Sequence, residues 1–162
     1  MEVRHCSVCG MDAKDSTICA EYFGITHHFC TLQCHDNFLA HPKLYIGKQA
    51  PVNIGRKLIK QRSFLLDEPM RDEQRDPLIA LLHTLMSVQD VCIEGNRVSI
   101  AYNLLEIHAA QIEAALEQAG ASMSSSWAER LKRGWVHYIE DNELDHLARG
   151  DMACCNKPPA KG

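Results

Sequence analysis

Two cysteine pairs near the start of the chain, Cys6-x2-Cys9 and, 20 residues further on, Cys30-x3-Cys34, constrain this sequence more than any other feature. A turn or a first helical turn brings thiols two to four residues apart onto one ion, so each pair supplies one edge of a tetrahedron. Val8-Cys9-Gly10 gives the first pair a tight turn. Thr31 caps a helix beginning just after Cys30, which puts Cys34 on its first turn with the sulfurs facing the same way. Cys6, Cys9, Cys30 and Cys34 then form a closed site for Zn²⁺, copper or another soft ion, with no open position for a catalytic water. The competing readings are buried small hydrophobes or a redox Cys6/Cys9 pair, but a thioredoxin-type CxxC sits in a βαβ context that this N-terminus lacks.

The other cysteines divide into two kinds. Cys19 and Cys92 fall on predicted strands and are expected to pack rather than to ligate. Cys154 and Cys155 are adjacent, in a segment ending Asn156-Lys157-Pro158-Pro159. Neighbouring thiols strain badly as a mutual disulfide, so they stand as a second metal or transfer site for a soft ion, against the alternative of a chain end without a role. Eight cysteines, no 18-residue apolar stretch and no secretory pattern behind Arg4 lead to the expectation of a cytoplasmic chain without membrane insertion, in which such spacing means metal before disulfides. A net charge of −4 removes the global basic field that drives nucleic-acid binding.

Three further regions follow the Cys-rich module of residues 1–46. Residues 47–62 hold Lys48, Arg56, Lys57, Lys60 and Arg62 with no acidic residue, broken by Gly47, Pro51 and Gly55, and read as a basic linker. Residues 63–124 alternate regularly. Phe64, Leu65 and Leu66 form a buried strand, and Asp76-Pro77 opens a helix with Leu78, Leu81, Leu82 and Leu85 on its apolar face. Residues 88–93 and 97–102 pair as a hairpin through Gly95-Asn96, with Val98, Ile100 and Tyr102 on one face. Asn103 and Glu106 then open a second helix that ends at Gly120.

With a short last strand at 121–124 this is a βαββαβ plait, ferredoxin-like, with two helices on one antiparallel sheet. Residues 125–162 add a helix over 127–148 and the Cys-Cys tail. Arg130, Lys132 and Arg133 near the start of that helix and the acids of 140–145 near its end both oppose its dipole, so packing of Trp127 and Trp135 is expected to hold it. The fold class expected is α+β.

Residues 6–45 resemble the YHS domain and the related TRASH metal-binding module. The resemblance rests on Cys6-x2-Cys9-Gly10-Met11, Glu21-Tyr22-x-Gly24, His28-Phe29-Cys30-x3-Cys34, Phe38, Pro42 and Tyr45. It implies a small treble-clef-like zinc-binding fold of the kind found beside heavy-metal transport ATPases, metal sensors and other metal-handling proteins. The chain departs from the family at His27-His28, where aromatic residues usually precede the Phe-Cys pair. Those histidines stand as extra or alternative ligands, against one being exposed and the other packed.

Residues 63–124 resemble a heavy-metal-associated domain in the order of their elements and in the stretch Val98 to Asn103. That family binds Cu(I) through a Met-x-Cys-x-x-Cys loop. The corresponding loop here, residues 68–75, has Met70 and no cysteine, so the family's ligands do not carry over.

No Ser/His/Asp arrangement, phosphate loop or dinucleotide fingerprint is present. The expectation is a non-enzymatic metal-binding protein that serves in delivery, in sequestration or as an accessory to a metal transporter. The alternatives are a regulatory or scaffold protein with a purely structural zinc, and a thiol oxidoreductase using Cys6/Cys9 or Cys154/Cys155.

Overall fold

The computed structural model describes residues 4–48, 50–85 and 87–149. Among them the chain is mixed α/β, with two small antiparallel sheets and four α-helices. The first sheet is a hairpin of β1 (Cys19–Tyr22) and β2 (Ile25–His28). Its two-residue turn is Phe23-Gly24, both at positive φ, the twist that lets a tight hairpin match its strands. Helix α1 (Leu32–Ala40) follows, then a 3-10 turn at Pro42–Leu44.

The second sheet contains β3 (Ile59–Leu65), β4 (Val88–Glu94) and β5 (Arg97–Asn103) in the order β3-β5-β4, with both pairs antiparallel. Helix α2 (Asp72–Thr84) connects β3 to β4, α3 (Ala109–Gln118) follows β5, and α4 (Trp127–Arg149) closes the described chain. Val98, Ile100 and Tyr102 are all buried on one face of the central strand, as their alternation predicts.

Several expectations shift. Strand β3 starts at Ile59, five residues before the apolar run, because its exposed half alternates with basic residues inside the segment read as a linker. Helix α2 starts at Asp72 rather than Asp76. The Gln74 side chain accepts from the Arg71 amide, and Asp72 and Glu73 complement the positive end of the dipole, while Pro77 sits inside the helix. Leu78 and Leu82 are buried there, whereas Leu81 is exposed. Asn103 and Glu106 form a turn, not a helix start; α3 begins at Ala109, where Gln111 accepts from the amide of the N-cap residue His108.

The fourth strand is also reduced. Residues 121–124 make a single bridge, Leu66 to Met123, supported by Asp67 N–H donating to Ser122 O and Ser124 N–H to Leu65 O. A segment with three serines among residues 122–125 has too little β-branched or aromatic surface to extend the ladder.

Helix α4 spans the expected residues but is not held by its tryptophans, which are both exposed. Leu144 is fully buried, and Val136, Leu147 and Ala148 pack beside the core. Glu140, also buried, accepts from the Tyr102 hydroxyl and from Ala109 N–H at 2.9 Å, so its carboxylate supports the first turn of α3 while Arg62 Nε stands 3.6 Å away. The Cys-rich segment joins the rest through one continuous core that runs from Cys6 and Phe29 to Leu116 and Leu144. Tyr45 Oη donates to Leu105 O at 2.8 Å, Gln33 and Asn37 both donate to Glu106 O, and Gln111 donates to Asn37 Oδ1.

Candidate metal centre

The four cysteines come from two small devices. The first is the turn from Cys6 to Gly10. Gly10 N–H donates to Cys6 O, Cys6 N–H donates to Met11 O, and Gly10 sits at φ +73°, where a side chain is disfavoured. The second is the junction between β2 and α1. Phe29 N–H donates to Ile18 O, which fixes the strand end, and Thr31 Oγ1 accepts from Cys34 N–H at 3.2 Å as the N-cap of α1. Ser7 N–H donates to His28 O at 3.0 Å and ties one device to the other.

The Sγ atoms of Cys6, Cys9, Cys30 and Cys34 all lie within 4.8 Å of one another. Cys9 Sγ is 3.4 Å from Cys30 Sγ, and Cys30 Sγ is 3.7 Å from Cys34 Sγ. A disulfide bond would require about 2.05 Å. A tetrahedral ion with about 2.3 Å bonds to sulfur instead spaces its ligands by about 3.8 Å, close to what is found. The donor set therefore fits a tetrahedral soft-ligand ion.

Burial and charge agree with this geometry. Cys6 and Cys34 are buried, and Cys9 and Cys30 are half-buried, so one edge of the cluster lies toward the surface. The Cys6 thiol is held far below its ordinary range by hydrogen bonds from Cys34 and Cys9, aided by the backbone amides of Cys9 and Cys30. Cys9 is pulled down by Cys34, yet Cys6 and burial outweigh this and push it up to about 12. Cys34 is driven up by Cys6, Cys9 and burial, with Thr31 opposing. Four thiols in so small a volume cannot all ionise together, and a cation at their centre relieves that repulsion.

Among the described residues, the other candidates are not part of the cluster. His27 Nδ1 lies 3.0 Å from Ser7 Oγ and its ring packs on Phe38 at 4.7 Å between centroids; His28 is half-buried beside it on β2. Neither belongs to the group within 4.8 Å. Cys19 and Cys92, expected to pack, are exposed, because the strand faces that carry them are not covered. Cys154 and Cys155 lie outside the described residues. Met70 packs against the core and donates its backbone N–H to Gly95 O, as a loop residue would.

Asn37 carries a part of the site that the sequence did not single out, and Met11, named there only as a motif residue, contributes through its backbone. The Met11 amide is directed at Cys9 Sγ, and Asn37 fixes α1 against the Glu106 turn. The Met11 role follows from the turn geometry of CxxCG; Asn37 acts across 69 residues of sequence, with no local signal. No protein-family model, curated protein or solved structure matches the chain. No helix among the described residues is long and apolar enough to cross a membrane.

Proposed function

We propose that this chain is a heavy-metal-binding protein in which Cys6, Cys9, Cys30 and Cys34 hold Zn²⁺ or another soft transition ion such as copper. The observation that carries the proposal is the convergence of four sulfurs from two separate devices to within 4.8 Å. An all-thiolate tetrahedral set favours zinc among common ions, and the half-buried Cys9–Cys30 edge gives a competing thiol a route to the ion. Delivery or sequestration in the cytoplasm, beside a transport ATPase or another metal-handling protein, is the role this reading assigns. The YHS/TRASH resemblance of residues 6–45 supports it.

Residues 59–124 are read as a reduced ferredoxin-like plait. The order Met123 bridge, β3, β5, β4, with a helix after the first strand and another after the hairpin, supports this reading. The loop at 68–75 brings no cysteine, so the plait serves as a docking body rather than a second copper site. A scaffold with a purely structural zinc is the competing role, favoured by the burial of Cys6 and Cys34 in the common core. Metal exchange with a zinc- or copper-selective chelator separates them: release within minutes supports handling, and retention until the chain unfolds supports scaffolding.

A further inference from the structure

Helix α4 presents an aromatic face that nothing among the described residues covers. Trp127, Leu131, Trp135 and Tyr138 are 77%, 66%, 63% and 62% exposed. At 3.6 residues per turn they occupy a sector about 80° wide and about 16 Å long, opposite the side that buries Val136, Glu140 and Leu144. The Trp135 and Tyr138 rings are in contact at 6.1 Å between centroids, so the patch is contiguous. Gly134 borders the stripe on the flank that carries Arg130, where a helical glycine is costly and a Cβ would meet no atom within 4 Å.

We propose that this face pairs with the same face of a second copy, the two α4 helices running antiparallel about a twofold axis near Gly134 and Trp135. The charges of the helix select this occupant and this direction. Most charges of α4 are already paired within the chain, Lys132 with Glu129, Arg133 with Glu113, Glu140 with Arg62, Glu143 with Lys60 and Asp145 with His41, and its end turns carry Glu129 at the start and His146 and Arg149 at the end, which suit the helix dipole; among the described residues, Arg130 in the first half and Asp141 in the second are the charges left to meet a partner. An antiparallel neighbour brings Arg130 of each copy beside Asp141 of the other, whereas a parallel one would set like charges side by side.

Arg130 and Asp141 are exposed, make no ion pair among the described residues, and share one flank of the stripe, since eleven residues turn the helix by about three full turns. Flanking positions on the same side meet each other in antiparallel pairs, so each Arg130 faces the other copy's Asp141. Gly134 permits close approach of the two backbones at the crossing.

Size supports a real interface. Taking about 200 Å² for each fully exposed side chain of this kind, the four residues offer roughly 500 Å² per copy. That gives about 1,000 Å² in the pair, the lower bound for a specific interface, before flanking residues are counted.

The test is sedimentation equilibrium of the full chain, with tryptophan emission followed over the same concentrations. The expected result is a dimer dissociating in the micromolar range, with emission shifting to the blue on association. Leu131→Glu should abolish it. Arg130→Glu and Asp141→Arg should each weaken it at least tenfold, and the double variant Arg130→Glu/Asp141→Arg should recover most of the loss, because both pairs are re-formed with their signs exchanged. Unchanged helical content and metal content in each variant exclude misfolding as the cause. A chain that stays monomeric overturns the proposal, and so does a monomer whose tryptophans are already shielded, which would assign the stripe to another part of the same chain. A dimer that the double swap does not rescue overturns the antiparallel arrangement.

Discussion

Cys9 Sγ and Cys30 Sγ stand 3.4 Å apart although 20 residues and a complete β-hairpin separate them in sequence. The contact depends on two local structures meeting at one point, a tight turn at Gly10 and the helix start at Thr31.

Thr31 caps α1 and thereby places Cys34. Thr31→Ala removes the side-chain acceptor for Cys34 N–H and should cost about 1 kcal/mol. Urea unfolding measures the loss. Metal content should remain, because all four sulfurs are still present.

Phe23 occupies the first position of the β1–β2 turn at φ 51° with its ring 87% exposed. Asn tolerates this conformation far better, so Phe23→Asn should stabilise the chain by about 1 kcal/mol. A lower melting temperature would show that the Tyr22–Phe23 ring contact matters more than the backbone.

Glu140 ties α4 to both the sheet and α3. Glu140→Ala leaves the Tyr102 hydroxyl and the Ala109 amide without their acceptor and should cost about 3 kcal/mol, while Glu140→Gln, which keeps one acceptor oxygen, should cost about 1 kcal/mol. Chemical unfolding of both variants gives the ratio.

Burial holds His108 below its ordinary range, and its Nε2 is buried without a hydrogen-bond partner among the described residues. The unfolded chain takes up this proton near pH 6.5, the folded chain only at lower pH. The unfolded state therefore binds more protons on acidification. His108's contribution to stability is present above about pH 6.5 and is lost as the pH falls toward its folded value. His108→Asn, which has no proton to gain, should flatten the fall in urea midpoint between about pH 7 and about pH 5.5 relative to the parent chain.

The parts of this molecule that were legible in sequence are those governed by neighbouring residues. CxxCG spacing, a threonine three residues before Cys34, Gly95-Asn96 between alternating runs, and the span of α4 all act within a few residues, and each is found in place. The failures share a different cause. Trp127 and Trp135 have helical spacing and large apolar area, but which face of a helix is buried depends on what packs against it, and the 3-10 turn at Pro42–Leu44, α3 and Tyr102 of the sheet meet the other side, which carries Glu140 and Leu144. Asn103-x-x-Glu106 has the spacing of a capping box and instead closes a turn, because Asn103 Oδ1 is used by the amides of Leu58 and Leu105. The anchoring of α1 by Asn37 and Gln33 to Glu106 joins residues some seventy positions apart, a relation that no local pattern encodes.

The most direct measurement is elemental analysis of the anaerobically purified chain beside a Cys30→Ser/Cys34→Ser double variant and a Cys19→Ser/Cys92→Ser control. The parent and the control should each carry about one zinc or soft metal ion per chain, as a single tetrahedral thiolate site requires, and the Cys30/Cys34 variant should carry almost none. Metal content that survives loss of Cys30 and Cys34, or a metal-free parent whose Cys6 and Cys9 cycle reversibly between dithiol and disulfide, would contradict the four-cysteine metal centre.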